Sequence, residues 1–387
     1  MAALVGLVES AVSRHREGLA DLVAAQFDFA GRAARGEAPG RDVLFFGDSV
    51  VKFGVVPRLI QERTGLRSYN LATAGNPAPV AHVLLRRALE AGARPRAVFV
   101  DFKPLLLTGY RVDAPTLARI GGLRDGLGLA WAARDPGLFG EFAAAQTLPT
   151  VRDRRAIRAA ILAGLRARPD PDRPSTEARR RNWAVNQGAQ VFPPNPLAQS
   201  TAEFPNEAPN LRPDWSCHPV NAAYIDGFFR LAAEHRIPAY WLLTPIHPRL
   251  QAGRDRLGLD DALTRFLAER AGASGVTVVD ARRLGLDPDL FVDATHLDRR
   301  GAAALSAALA EFLADVDRPA GPGRWVVLPP RPRPLDDGRI EDTDQSALAL
   351  RAGTGWTRNW GQAPAEYRRS QSPVPSSQGL CNPPDPR

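Results

Sequence analysis

The run Val43-Leu44-Phe45-Phe46 leading straight into Gly47-Asp48-Ser49 restricts what this chain can fold into more than any other feature. Four consecutive apolar, strand-forming residues leave no solvent side, so they read as a strand buried on both faces, as in a parallel sheet covered by helices. A helix-compatible segment follows from about Gly54. A serine at the end of such a strand stands at the carboxyl edge of the sheet, where open α/β folds place their ligands. Its own N–H, close to a helix start, can hold an oxyanion there. Serine is a weak nucleophile at neutral pH, so this reading requires a base elsewhere. Asp293-Ala294-Thr295-His296-Leu297, near the end of the patterned part of the chain, supplies the candidate.

The alternation around the serine is that of strand–helix–strand units. A helix through Pro57–Arg63 stops at Gly65, and Ser68–Leu71 reads as a second short strand. Val80–Glu90 places Val80, Val83, Leu84 and Ala88 on one helical face, and Ala97–Phe102 is a third strand, apolar enough to be central. Such units imply parallel strands with right-handed crossovers. From Leu105 to Pro219 the alternation stops, and the segment reads as irregular. It holds one helix over 154–166 (Ile157, Ile161 and Leu165 share a face) and loops at Pro169–Pro174 and Phe192–Pro196. An insertion of that length at the carboxyl edge reads as a lid or a substrate-shaping subdomain. The pattern resumes with a helix (Val220–Glu234), a strand (Ala239–Leu243), a helix (Asp260–Ala271) and a strand (Val276–Asp280). A last helix follows over Asp298–Asp315, with Asp298 as its N-cap.

The expected fold is therefore α/β, with a five-stranded, mostly parallel sheet and a large insertion after the third strand. Trp325–Leu328 is a further candidate edge strand. Residues 1–40 form an N-terminal helical segment in which Leu4, Val8, Val12, Leu19, Leu22 and Phe27 make an amphipathic pattern. The α/β domain covers 41–318, with the insertion at about 105–218. The tail, 319–387, is rich in Pro, Ser, Gly and Arg and reads as disordered, with Trp356, Trp360 and Tyr367 as the residues in it that can dock.

At 387 residues and 44% hydrophobic content the chain can bury a real core. The net charge of +8 is carried almost wholly by arginine: among 50 lysines and arginines only Lys52 and Lys103 are lysines. That bias reads as coding preference rather than as a polybasic surface, and no nucleic-acid partner is expected. Between Arg152 and Arg181, ten arginines face four acids. This patch is either a solvated helix face with a linker or a contact for an acidic glycan. Two cysteines, Cys217 and Cys381, give neither a disulfide framework nor a thiolate metal site. His218 beside Cys217 does not make a metal site either. No apolar run reaches the roughly eighteen residues of a membrane-spanning helix. Met1–Val12 lacks a basic leader and a small-residue cleavage signal, so export by this N-terminus is not expected.

Gly47-Asp48-Ser49 alone, or Asp293-x-x-His296 alone, is a common combination. Together they carry more weight. One follows the first strand and the other follows the last core strand, so in a parallel sheet both lie on the same carboxyl edge. His296 would take the serine proton, while Asp293 would fix its tautomer and stabilise the imidazolium. His247, at the end of the fourth strand in Thr244-Pro245-Ile246-His247, is a candidate substrate contact. Asp48 reads as a structural hydrogen-bonding residue beside the nucleophile.

Gly47-Asp48-Ser49 and Asp293-x-x-His296-Leu297 resemble the first and last signature blocks of the SGNH (GDSL) hydrolase superfamily, over roughly 42–104 and 219–315. The resemblance implies a three-layer, flavodoxin-like α/β/α sandwich, a Ser/His/Asp site without cofactor or metal, and hydrolysis or transfer of acyl groups on lipid, carbohydrate or other esters. It places Gly75 as a backbone oxyanion donor. Where the family has a side-chain donor, an asparagine after the third strand, this chain reads Val100-Asp101-Phe102-Lys103-Pro104. An ionised Asp101 cannot donate, which leaves the Asn76 amide or the Lys103 cation as candidates. The expectation is a serine esterase. The alternatives are a carbohydrate O-acetyltransferase using the same triad, for which family relatives often work outside the cytoplasm, and a non-catalytic module holding an anionic polymer.

Overall fold

The computed structural model of the protein describes residues 2–14, 22–110, 113–165, 173–194, 214–314 and 323–331. Its centre is a single parallel sheet of strands β1 (Val43–Gly47), β2 (Ser68–Asn70), β3 (Ala97–Asp101), β4 (Ala239–Leu243), β5 (Thr277–Asp280) and β6 (Trp325–Val327), in the order β2-β1-β3-β4-β5-β6. The sheet thus has six strands rather than five. The sixth is three residues long and pairs with β5 through Val279 and Val326. So short an edge strand has too few residues to show a period of its own.

Strand alternation divides the core into two layers. Leu44, Phe46, Val98, Val100, Trp241 and Leu243 face one side, where the helices Leu22–Gly36, Ala78–Glu90, Pro219–Glu234 and Leu259–Ser274 contribute to the same apolar cluster. Val43, Phe45, Ala97, Phe99, Tyr240 and Leu242 face the other, packed with the helices Ser49–Gly54, Pro57–Thr64 and Arg299–Ala314. Across β1, β3 and β4 the rings of Phe45, Phe99 and Tyr240 stack at centroid separations of 5.1 and 4.7 Å. Such cross-strand aromatic pairs add to the register that the buried faces already impose.

Two expectations are corrected. The helix after β1 begins at Ser49 itself rather than near Gly54, because Asp48 caps it. The insertion is mostly helical rather than irregular: besides the expected helix, found at Arg154–Leu165, it has helices at Pro104–Leu107, Ala114–Leu117, Leu123–Ala133, Pro136–Thr147, Pro149–Arg152 and Arg173–Val185. Its helices are short and interrupted by glycines that weaken the sequence signal. Gly126 is there for packing, since a Cβ would stand 2.4 Å from the Phe142 ring. Arg119, buried, joins Asp28 of an N-terminal helix (3.1 Å) to Asp153 of the insertion. Asp153 also pairs with Arg152 at 3.0 Å, whereas Arg154, Arg155 and Arg158 are exposed. Trp356, Trp360, Tyr367 and the rest of the tail from Pro332 onward lie outside the described residues. Among the described residues no helix is long and apolar enough to cross a membrane.

The end of the insertion returns to the sheet. Asn70 N–H of β2 donates to Gln187 O at 2.9 Å, and Gln190 N–H donates to Lys52 O at 2.9 Å. Gly188, at φ +91, makes this approach possible, since a Cβ would sit 2.0 Å from Asn70 O. Gly65 is also left-handed (φ +73), but a Cβ there meets nothing. Gly65→Ala is therefore expected to cost only the backbone term, about 1–2 kcal/mol. Gly188→Ala should cost roughly twice that or more, because β2 and the insertion must separate. Urea denaturation midpoints of the two variants measure the difference; equal losses would show that the insertion is not seated on β2.

Candidate active site

The site is built where β1 ends. Gly47 adopts φ +129 and lies so close to β3 that a Cβ would fall 2.0 Å from Asp101 O. Only glycine allows the turn that follows. Asp48 has no exposed surface; its Oδ1 accepts the Val50 N–H at 2.9 Å and its Oδ2 the Lys103 N–H at 3.0 Å. One carboxylate thus caps the helix Ser49–Gly54 and fastens the chain beyond β3 to it. Burial pushes the Asp48 carboxyl up from its ordinary range, opposed first by the Lys103 charge and then by these two N–H donors.

The loop after β5 brings in the base. An antiparallel bridge between Phe291 and Leu297, with Val292 N–H donating to His296 O at 2.9 Å, closes a tight turn. Inside it Asp293 Oδ1 accepts the N–H groups of Thr295 (2.8 Å) and His296 (2.9 Å). Asp293 Oδ2 lies 2.7 Å from His296 Nδ1, and His296 Nε2 lies 2.8 Å from Ser49 Oγ. Burial opposes ionisation of Asp293, but the imidazole, its hydrogen bond, the Thr295 N–H and the Lys103 charge together hold the carboxyl well below the usual carboxylate range. With Asp293 ionised, His296 carries its proton on Nδ1 and presents an acceptor to the serine hydroxyl. Ser49 is 2% exposed and His296 7%. The edge of Phe53 meets the imidazole at 4.9 Å, and Phe192 of the insertion packs on Phe53 at 4.5 Å. Phe53, Ala74, Phe192 and Val292 form an apolar wall beside the triad.

Two backbone donors stand open at this edge: among the described residues neither the Ser49 N–H nor the Gly75 N–H donates to another group of the protein. Gly75 takes φ +77, and the preceding residue is pinned by Gln26, whose Oε1 accepts the Ala74 N–H at 2.9 Å. Asn76 does not fill the missing donor position. Its Nδ2 donates to Thr73 O (3.3 Å) and Ala74 O (2.8 Å), carbonyls that the turn at Gly75 leaves in need of donors. Asp101 is turned away as well. Its carboxylate accepts from the N–H and hydroxyl of Thr244 at 3.0 and 2.8 Å and from the Phe102 N–H at 2.8 Å. Burial raises its pKa to about 8, against the donors from Thr244 and with help from Asp48. His247 packs against the loop that carries Asp293 and His296. Its N–H donates to Ala294 O at 3.1 Å, its Nδ1 accepts the Arg249 N–H at 3.2 Å, and its ring meets Phe291 at 5.5 Å. Lys103 is half-buried at the carboxyl edge. Its side chain makes no hydrogen bond or ion pair among the described residues.

Lys52, one helical turn beyond Ser49, was not singled out by the sequence pattern. It is 1% exposed, donates from Nζ to Gly188 O at 2.7 Å and lies over the rings of Trp183 (4.8 Å) and Phe29 (5.8 Å). Its scarcity as one of two lysines was the available signal. No group of three His, Cys, Asp or Glu side chains among the described residues is placed to hold a metal ion. Compared with known proteins, the chain matches no protein-family model, and no curated protein resembles it significantly.

Burial lowers the Lys52 pKa from 10.5 to about 7. Between those values the unfolded chain binds one proton more than the folded one, so the Lys52 contribution to stability rises with pH from about 7 toward 10. Lys52→Met should remove this slope: wild-type stability relative to the variant should increase from neutral to alkaline pH in urea denaturation. A difference that stays flat across that range would show that the aromatic cage keeps the ammonium charged throughout.

Proposed function

We propose that the protein is a serine-dependent acyl-ester hydrolase acting through Ser49, His296 and Asp293. The observation that carries this reading is the continuous chain of contacts, 2.8 Å from Ser49 Oγ to His296 Nε2 and 2.7 Å from His296 Nδ1 to Asp293 Oδ2. The three residues come from opposite ends of the sequence and meet at one sheet edge. The match of Gly47-Asp48-Ser49 and Asp293-x-x-His296 to the SGNH hydrolase blocks supports the same conclusion.

In this mechanism Ser49 Oγ attacks the ester carbonyl as His296 Nε2 takes its proton. The carbonyl pair moves onto oxygen, facing the open N–H groups of Ser49 and Gly75. Collapse expels the alcohol, which takes the proton from His296, and leaves Ser49 acylated. Asp293 holds the imidazole tautomer and stabilises its charged form without accepting the proton. Water activated by His296 then releases the acid. One observation favours a second reading, transfer of the acyl group to a bound sugar hydroxyl. Ser49 and His296 are almost fully buried beside Phe53 and Phe192, although Asp293 keeps an exposed edge, which limits access of free water to the serine as acceptor. The exposed Arg154, Arg155 and Arg158 would suit an acidic glycan carrying that hydroxyl.

The test is labelling by a fluorophosphonate probe and turnover of p-nitrophenyl acetate. Wild type should label at Ser49. Ser49→Ala should not label, and Asp293→Asn should lose on the order of 10⁴ in kcat. A folded wild-type protein that neither labels nor turns over would overturn the hydrolase reading.

A further inference from the structure

The open question at this site is what stabilises the oxyanion besides backbone. Asn76 spends both amide protons on Thr73 O and Ala74 O, and Asp101 is occupied by Thr244 and Phe102. His247 already uses its Nδ1 on the Arg249 N–H. We propose that Lys103 is a catalytic residue whose ammonium takes the oxyanion of the tetrahedral intermediate, completing a hole begun by the Ser49 and Gly75 N–H groups. The inference rests on the serine-hydrolase reading above.

Three observations converge on Lys103. The first is register. Gly47 and Asp101 are paired across β1 and β3, and Ser49 and Lys103 each stand two residues beyond that pair, on the same edge of neighbouring strands. The Lys103 N–H, held at 3.0 Å by Asp48 Oδ2, fixes the start of its side chain against the residue preceding the nucleophile. The second is availability: its four-carbon stem is half-buried while the ammonium has no partner among the described residues. Its charge is felt on both sides of the serine, favouring the ionised forms of Asp48 and of Asp293. The third is residue choice. In a chain where all but two of 50 basic residues are arginine, both lysines flank the nucleophile. Lys52 is explained by its burial in the aromatic cage, where a guanidinium would not fit the single Gly188 acceptor. Lys103 is not buried that way. A compact ammonium on a flexible stem can follow one developing charge, whereas a planar guanidinium is shaped for two oxygens at once.

In the acylation step the ammonium donates one hydrogen bond to the carbonyl oxygen as it becomes anionic and keeps its proton throughout. The serine proton goes to His296 and then to the leaving alkoxide. The contact strengthens only as charge develops, so it acts on kcat rather than on ground-state binding.

The experiment compares wild type, Lys103→Met, Lys103→Arg and Lys103→Cys, the last before and after aminoethylation with 2-bromoethylamine, which rebuilds an ammonium at that position. Wild type treated in the same way controls for Cys217 and Cys381. Lys103→Met should lower kcat on p-nitrophenyl acetate by about 10²–10³-fold with KM little changed. It should slow fluorophosphonate labelling of Ser49 in parallel, because the phosphonyl oxygen occupies the oxyanion position. Aminoethylation of Lys103→Cys should restore most of both, and Lys103→Arg less. If Lys103→Met does not fold, Lys103→Cys before and after modification gives the same comparison. Undiminished kcat and labelling in folded variants would overturn the role of Lys103 while leaving Ser49 as nucleophile. A loss confined to KM would overturn it too, by showing a ground-state substrate contact. A wild type that never labels at Ser49 removes the hydrolase reading and this inference with it.

Discussion

Everything at this site hangs on one buried carboxylate. Asp48 accepts from the Val50 and Lys103 N–H groups, so the end of β1, the first turn of the next helix and the exit of β3 become one rigid unit. Burying a charge without water is costly, and these donors are what make it tolerable. The glycine before it is equally constrained, since Asp101 O occupies the space a side chain would need. With both in place, Ser49 has little freedom in where its hydroxyl points. His296 then needs only to be held at the matching height, which the hydrogen-bonded turn around Asp293 does.

The segments outside the strand–helix alternation are part of this scaffold. Gln26, from the N-terminal helix, pins the loop that carries Gly75. The insertion contributes Trp183 and Gly188 to the Lys52 cage and Phe192 to the wall beside His296. Phe192 O also accepts the Arg299 N–H at 2.7 Å, tying that wall to the helix that follows the triad loop. On the hydrolase reading proposed above, an acyl group bound beside His296 would meet Phe53 and, from the insertion, Phe192.

Much of the frame is legible in the sequence because it is written locally. Val43–Phe46 and Ala97–Val100 have no polar position to expose, and the strand endings place Gly47-Asp48-Ser49 and Asp293-x-x-His296 on one edge without knowledge of any contact. What is not legible depends on distant partners. Asn76 reads as a free amide until Thr73 O and Ala74 O are placed around it, and a fully buried lysine such as Lys52 looks like any surface lysine. Of the insertion helices only Arg154–Leu165 shows a clear apolar face in the sequence; Leu123–Ala133 is masked by Gly126, which serves packing against Phe142 rather than a turn. The candidate edge strand at Trp325–Leu328 is present as β6, Trp325–Val327, paired with β5.

The electrostatic balance of the edge explains why a cation belongs there. On the proposed hydrolase reading, an oxyanion forming beside Ser49 would add negative charge next to Asp293, whose carboxyl is held well below the usual carboxylate range. One neighbouring carboxyl relieves this by staying protonated over much of the neutral range, since burial lifts Asp101 to about 8. The Lys103 ammonium, without a hydrogen bond or ion pair among the described residues, favours the ionised forms of both Asp48 and Asp293, as His296 also does. In the proposed mechanism that charge would favour an ionised Asp293 for His296 while the reacting carbonyl becomes negative.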